Sequence, residues 1–226
     1  PTTPAPTTVP PTTPAPTTEA RRKNPYHYLA QAKVGDVIRF GAIDQDGVAG
    51  AESIEWLVLA KSGGRILVIS RYCFVTGVYS TASPAVWSTS QARNWLNGGF
   101  FASAFSAEDR NQVMYTKIKT PANPQSGQSG GADTTDQVFL LSIQEVQQYM
   151  SPSQVATSAT PTARNSGAYI VGGEVFWWLR SPGDGPATCA HTRSGGAIDF
   201  VGENATVRGA LRPAMWLNAD QAEYLP

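Results

Sequence analysis

Polar and apolar positions change rhythm sharply along the chain. Residues 1–20 carry no large apolar side chain except Val9, whereas from Pro25 onward apolar residues alternate or cluster. Val34-Gly35-Asp36-Val37-Ile38-Arg39-Phe40 alternates as a half-buried strand does. Ile54–Ala60 and Arg65–Ser70 are denser apolar runs joined by Lys61-Ser62-Gly63-Gly64, which predicts a β-hairpin. Helix signals follow. Ser88 or Thr89 caps a helix running to Asn97 with Ala92, Trp95 and Leu96 on one face. Ser106 with Asp109 opens a second helix, and Ser142 with Glu145 forms a capping box for a third, ending near Met150. Thr120–Asp136 and Ser151–Gly167 read as polar, irregular stretches, the first a long surface loop. Short strand-like pieces return at Val175–Arg180, Gly196–Val201, Ala205–Arg208 and Arg212–Leu217. Strands, then helices, then strands indicate an α+β domain with a mixed or antiparallel sheet and two to three helices. No internal boundary is visible after residue 25.

The amino-terminal stretch has its own logic. PTTPAPTT at residues 1–8 recurs unchanged at residues 11–18. Proline fixes φ and removes backbone donors, so residues 1–24 are expected to form an extended, polyproline-like linker or stalk, at about 3.1 Å per residue. Residues 25–226 then form the functional domain. The absence of a leader peptide and of an initiating Met is read as a fragment starting inside a longer protein.

Charge and composition narrow the function. With 17 Lys+Arg against 17 Asp+Glu the net charge is zero, which argues against a nucleic-acid binder working through a basic field. No apolar run is long enough for a membrane span, so no membrane insertion of this stretch is expected. Two His and two Cys make a zinc site from those residues alone unattractive. Asp44-Gln45-Asp46-Gly47 matches only the first half of a calcium loop, and a turn explains it more simply. Asp133 and Asp136 read as loop polars. No cofactor and no metal is expected.

Catalytic patterns are thin. Cys73 and Cys189 admit two readings, a disulfide closing a long loop or two buried free thiols. His191 lies two residues from Cys189, which on an extended strand puts both on one face, yet no oxyanion motif or orienting acid accompanies them. His27 has no assigned chemistry. Neither a G-x-S-x-G elbow nor a phosphate-binding or dinucleotide loop is present. Elimination favours binding over catalysis, and no catalytic residue is assigned.

The carboxy-terminal block is the most informative. Val175-Phe176-Trp177-Trp178-Leu179-Arg180-Ser181-Pro182-Gly183 and Leu211-Arg212-Pro213-Ala214-Met215-Trp216-Leu217 bracket about thirty small and polar residues. The brackets read as core, with Trp87, Trp95, Trp177, Trp178 and Trp216 as packing residues and Arg180 and Arg212 in buried ion pairs or backbone bonds. The middle reads as a surface segment held at both ends, with Gly195, Gly196, Gly202 and Gly209 in tight turns.

EWLVLA…ILVIS, WSTSQARNWLNGGFFASAFSAED, DTTDQVFLLSIQEV, WWLRSPG and LRPAMWL occur in this order in a bacterial and phage domain family that the chain resembles over roughly residues 33–218. The resemblance implies a C-type-lectin-like fold. It also implies kinship with the variable proteins of diversity-generating retroelements, in which the stretch between the two bracket strands, here 177–216, is diversified. Adenine-directed diversification never produces Lys, Gln, Glu, Met or Trp from its usual codons. Those five types make up 34 of the 226 residues, whereas Asp184–Ala210 contains Glu203 alone. The binding face so implied comprises His191, Arg193, Asp199, Phe200, Val201, Glu203, Asn204, Thr206 and Arg208. The expected function is a ligand-binding, receptor- or adhesin-type protein displayed at an extracellular, cell or virion surface, its partner a protein or other surface ligand and not nucleic acid. A non-diversified lectin-like surface module, a structural wall module and a formylglycine-generating-type enzyme are the alternatives. The last is weakened because its paired cysteine pattern is not recognisable here.

Overall fold

A computed structural model describes residues 22–223. Residues 1–21 of the expected stalk lie outside it. The chain starts with a short helix α1 (His27–Gln31) and three strands, β1 (Val37–Ile43), β2 (Glu52–Ser62) and β3 (Arg65–Ser70), then β4 (Val75–Val78). Four short helices follow: α2 (Gln91–Trp95), α3 (Phe101–Ala104), α4 (Ala107–Arg110) and, after the ribbon β5 (Thr116–Ile118) and β6 (Thr134–Asp136), α5 (Ile143–Tyr149). Two further turns of helix, α6 (Pro152–Val155) and α7 (Pro161–Asn165), lead to the small hairpin β7 (Ile170–Val171) and β8 (Glu174–Val175). The chain closes with β9 (Trp177–Pro182), β10 (Thr188–Thr192), β11 (Ile198–Asn204), β12 (Arg208–Leu211) and β13 (Ala214–Asn218).

These strands form two principal sheets. The first is antiparallel, in the order β1-β2-β3-β13. The second has the order β11-β10-β9-β12-β4 and is antiparallel except where β12 runs parallel to β9. The class is α+β. Strands far apart in sequence are thus joined at both ends. β13 pairs with β3 from Ala214↔Ile69 to Asn218↔Arg65, and the Asn24 amide donates to the Glu223 carbonyl at 2.9 Å.

Local chemistry explains most of the elements. The β2–β3 hairpin closes through Gly63 and Gly64, both at positive φ (55° and 73°), as a two-residue turn requires. β1 alternates as expected, with Ile38 and Phe40 buried and Val37 and Arg39 exposed. It starts three residues later than the periodicity suggests, because the Asp36 carboxylate accepts the Lys33 amide and holds residues 33–36 in a turn. The capping boxes at Ser106/Asp109 and Ser142/Glu145 are both formed. The cap of α2 is Ser90 rather than Ser88 or Thr89, which belong to a 3-10 turn ahead of it. No α-helix among the described residues exceeds the seven residues of α5, so the expected two to three helices are instead seven short ones among those residues. Gly98 and Gly99 sit in a π turn separating α2 from α3, consistent with glycine's weak hold on helical geometry. Among the described residues no helix is long and apolar enough to cross a membrane.

One apolar core runs between the sheets. Trp56, Trp87, Trp177, Trp178, Tyr79 and Phe100 are its largest fully buried side chains. Each buried indole N–H has a carbonyl or carboxylate: Trp56 donates to the Phe40 carbonyl, Trp177 to Val155, Trp178 to Gly77 and Trp87 to Asp136. Trp95 and Trp216 are only half-buried against this core. Asp136, expected as a loop polar, is buried at the end of β6, where it accepts from Trp87, from Arg93 at 2.7 Å and from Thr134 at 2.6 Å. A buried carboxylate needs such partners, and here three donors supply them.

Candidate functional site

The carboxy-terminal sheet is built outward from a rigid strand. All six residues of β9 are buried. Arg180, only 3% exposed, donates to the carbonyls of Leu140 and Lys119, and its guanidinium pairs with Glu145. Arg212, on the other bracket, is 2% exposed and has no carboxylate partner among the described residues. It donates instead to the carbonyls of Ser70 (2.9 Å), Gln154 (2.8 Å) and Val155 (3.1 Å) and lies over the Trp177 ring. Burial pulls its guanidinium down to about 10, still charged at neutral pH. The brackets therefore anchor the ends of the intervening segment through buried cations.

Between them the chain adds two strands to the sheet. β10 lies beside β9, and β11 lies outside it as the edge strand. The stretch Thr188–Thr192, without apolar alternation, is not among the strands expected from the sequence. Its small side chains Cys189, Ala190 and Thr192 are all buried because the strand is paired on both sides. Conversely, Ala205–Thr206 of the expected Ala205–Arg208 strand is a turn, where the Asn204 side-chain oxygen accepts both the Thr206 amide and its hydroxyl. Gly195–Gly196 form the β10–β11 turn, and Gly202 at φ 80° sits in the bulged part of β11. Gly209 is not a turn glycine. It lies in the middle of β12, where an added Cβ would stand 2.4 Å from Trp178 Nε1 and 2.6 Å from Phe176.

The nine residues of the expected binding face divide into groups. His191, Arg193, Glu203 and Arg208 line one concavity of about 470 Å³, and Tyr169, Val171, Phe176 and Val207 supply its apolar wall. Asp199 stands behind it, with 14% of its side chain exposed, tethered to both Arg193 (2.8 Å) and the Gly202 amide (3.0 Å). Phe200 is partly buried and its carbonyl accepts from Asn123. Val201 is exposed on the edge strand, and Asn204 and Thr206 are occupied with each other in the turn. His191 projects into the concavity with its ring edge-on to Phe176 and Trp178, its Nε2 3.8 Å from Asp199.

Sequence reasoning missed two contributors. The apolar wall includes Tyr169 and Val171, which the β7–β8 hairpin carries beyond the bracketed segment. Gly172-Gly173 between Ile170–Val171 and Glu174–Val175 is a two-residue hairpin signal that would have found it. Asn123, in the supposed surface loop, is 1% exposed and donates to the carbonyls of Pro182, Gly183 and Phe200, while its oxygen accepts from Gln125 and Ser126. It ties the start of the bracketed segment to the edge strand.

Burial alone would raise the Asp199 carboxyl, but the Gly202 amide, Arg193 and His191 outweigh it and hold it below the ordinary carboxylate value. A lowered folded value means that its stabilisation is complete above the unfolded value and is lost as pH falls through the folded one. Acidification below about pH 4 is therefore expected to release Gly202 and Arg193. Amide exchange at Gly202 should accelerate in that window, and Asp199→Asn should abolish the pH dependence of that acceleration.

The remaining candidates do not line this concavity. Cys73 and Cys189 are both free and fully buried, so the disulfide reading does not hold. Burial pushes the Cys73 thiol up to about 12 despite nearby Arg212, and burial likewise raises Cys189, whose Sγ donates to the Ala85 carbonyl. Neither supplies a thiolate at neutral pH. His191 Nδ1 meets the Thr192 carbonyl rather than Cys189. In the Asp44–Gly47 motif, Asp44 accepts the amides of Asp46 and Gly47, and Asp46 accepts that of Val48, which makes a turn. Glu52 approaches the same acids and accepts the Gln45 amide. His27 meets the Gln221 carbonyl beside the chain ends.

The family model described as "Domain of unknown function (DUF6273)" matches residues 63–219, from the turn of the first hairpin to the end of the last strand. No curated protein and no solved structure matches the chain.

Proposed function

Since the chain belongs to the DUF6273 family, we propose that this domain is a non-catalytic, ligand-binding module whose specificity resides in the segment between its two tryptophan-bearing brackets. The observation that carries this reading is the concavity at the edge of the second sheet. Five polar residues of the bracketed segment, His191, Arg193, Ser194, Glu203 and Arg208, line it together with an apolar wall. Few convergent polar groups on an apolar concave surface are what a recognition site requires. A protein partner suits it, since cationic and aromatic side chains dominate the energetics of such contacts.

The finer fold assignment, C-type-lectin-like, is part of the same proposal. It is supported by Asn24 lying beside Glu223 and by β13 returning to β3, so that the second sheet is a long excursion from the first. Diversification of residues 177–216 and display at a cell or virion surface on the Pro/Thr-rich stem complete the reading. The scarcity of Lys, Gln, Glu, Met and Trp in Asp184–Ala210 supports the first, and the composition of residues 1–24 the second.

A display library randomised at His191, Arg193, Glu203 and Arg208 tests this proposal. Most members should fold, with melting temperatures within about 5 °C of the parent, and selection against an arbitrary protein such as lysozyme should yield binders. A library that unfolds, or that folds and yields none, removes the proposal. On the genetic side, a neighbouring near-repeat of the 177–216 coding region should differ at the His191, Arg193 and Arg208 codons and not at Cys189, Ala190 or Gly209.

A further inference from the structure

We propose that a second groove, sharing no residue with the bracketed segment 184–210, binds a sulfate or phosphate ester carried on a saccharide-sized group. The groove encloses about 370 Å³ between the outer side of β13 and the β5–β6 ribbon. Four cations line it, Arg65, Lys117, Lys119 and Arg180, against the single carboxylate of Glu145. Arg180 already pairs with that carboxylate beneath the surface, which leaves the other three uncompensated from within. Lys117 has only a loose, exposed partner in Asp133 at 3.6 Å. Among the described residues, neither Arg65 nor Lys119 has an ion pair.

This is a local concentration of charge on a chain whose net charge is zero. Elsewhere on the surface Arg39 and Arg71 share Glu55, and Arg193 grips Asp199. Two features make the cluster a site and not a solvated face. Lys117 and Lys119 lie two residues apart along one strand and its continuation, so both ammonium groups stand on one side. Arg65 is held over the half-buried Trp216 ring, 4.4 Å from its centroid, and both line the groove. Planar guanidinium beside two ammonium groups matches a tetrahedral oxyanion. The shape selects among carriers. A groove of about 370 Å³ suits one ring-bearing acidic group, whereas the headgroups of a bilayer are spread over a plane.

Isothermal titration of the intact chain with a sulfated disaccharide from heparin tests this. Binding is expected, with inorganic sulfate and phosphate competing and the association weakening steeply as salt rises. Arg65→Ala and Lys119→Ala should each weaken it by about threefold and together by about tenfold, while Arg39→Ala leaves it unchanged. Because Arg65→Ala also uncovers Trp216, Lys117→Glu/Lys119→Glu provides an independent variant that touches no packed side chain, and it should abolish binding without lowering the melting temperature. The proposal is overturned if the parent chain does not bind the disaccharide, if the lysine reversal binds as the parent does, or if phosphatidylserine vesicles are captured while the disaccharide is not.

Discussion

Replacing Arg212 by methionine should destabilise the domain by about 4 kcal/mol, read as a fall in the urea midpoint at unchanged slope. The residue is a buried cation without a carboxylate among the described residues, and its fork of donors serves the carbonyls of Ser70, Gln154 and Val155, the last shared with the Trp177 indole. Methionine approximates the volume but removes these donors, so that of the three oxygens Val155 alone keeps a side-chain donor, the Trp177 indole. Its loss also uncouples β3 and α6, which the guanidinium joins from its place just ahead of β13. Arg212→Lys should recover little, since one ammonium cannot serve three carbonyls arranged around a planar group. A variant as stable as the parent would show that the arginine is a passenger in its motif.

Gly209→Ala should cost about 3 kcal/mol, whereas Gly195→Ala, only fourteen positions earlier, should cost nothing measurable. At Gly209 the new methyl would meet the Trp178 indole at 2.4 Å and the Phe176 ring at 2.6 Å, both already packed against His191. At Gly195 nothing lies within 4 Å. Thermal unfolding of the pair separates two kinds of position inside one bracketed segment. Equal effects would mean that the β12–β9 contact is looser than its spacing implies. The comparison also bears on the proposed function, because a segment that varies must contain positions that do not.

The contrast between these glycines shows where sequence reasoning succeeds. The Gly63-Gly64 hairpin and the capping boxes at Ser106 and Ser142 were legible because every participant lies within a few residues. Arg180 and Arg212 were legible as buried, since a charge embedded among tryptophans has nowhere else to go. Gly209 was misread as a turn because its constraint comes from an aromatic pair three strands of sequence away. β10 was invisible for a related reason: Thr-Cys-Ala-His-Thr has no apolar rhythm, and it becomes a strand only because β9 and β11 supply its hydrogen bonds. Asn123 and Asp136 looked like loop polars, yet both are buried hubs whose partners lie at long range. The concavity was half legible. His191, Arg193, Glu203 and Arg208 were named from the segment, while Tyr169 and Val171 enter it from the hairpin before β9.

The closure at Asn24 and Glu223 has an engineering consequence. With an amide and a carbonyl of the two ends 2.9 Å apart, a linker of a few residues can join them without disturbing either sheet. New termini can then be opened at the exposed Gly172-Gly173 tip, giving a circular permutant. The same proximity lets the whole unit be spliced into a surface loop of a carrier, entering and leaving through a single gap.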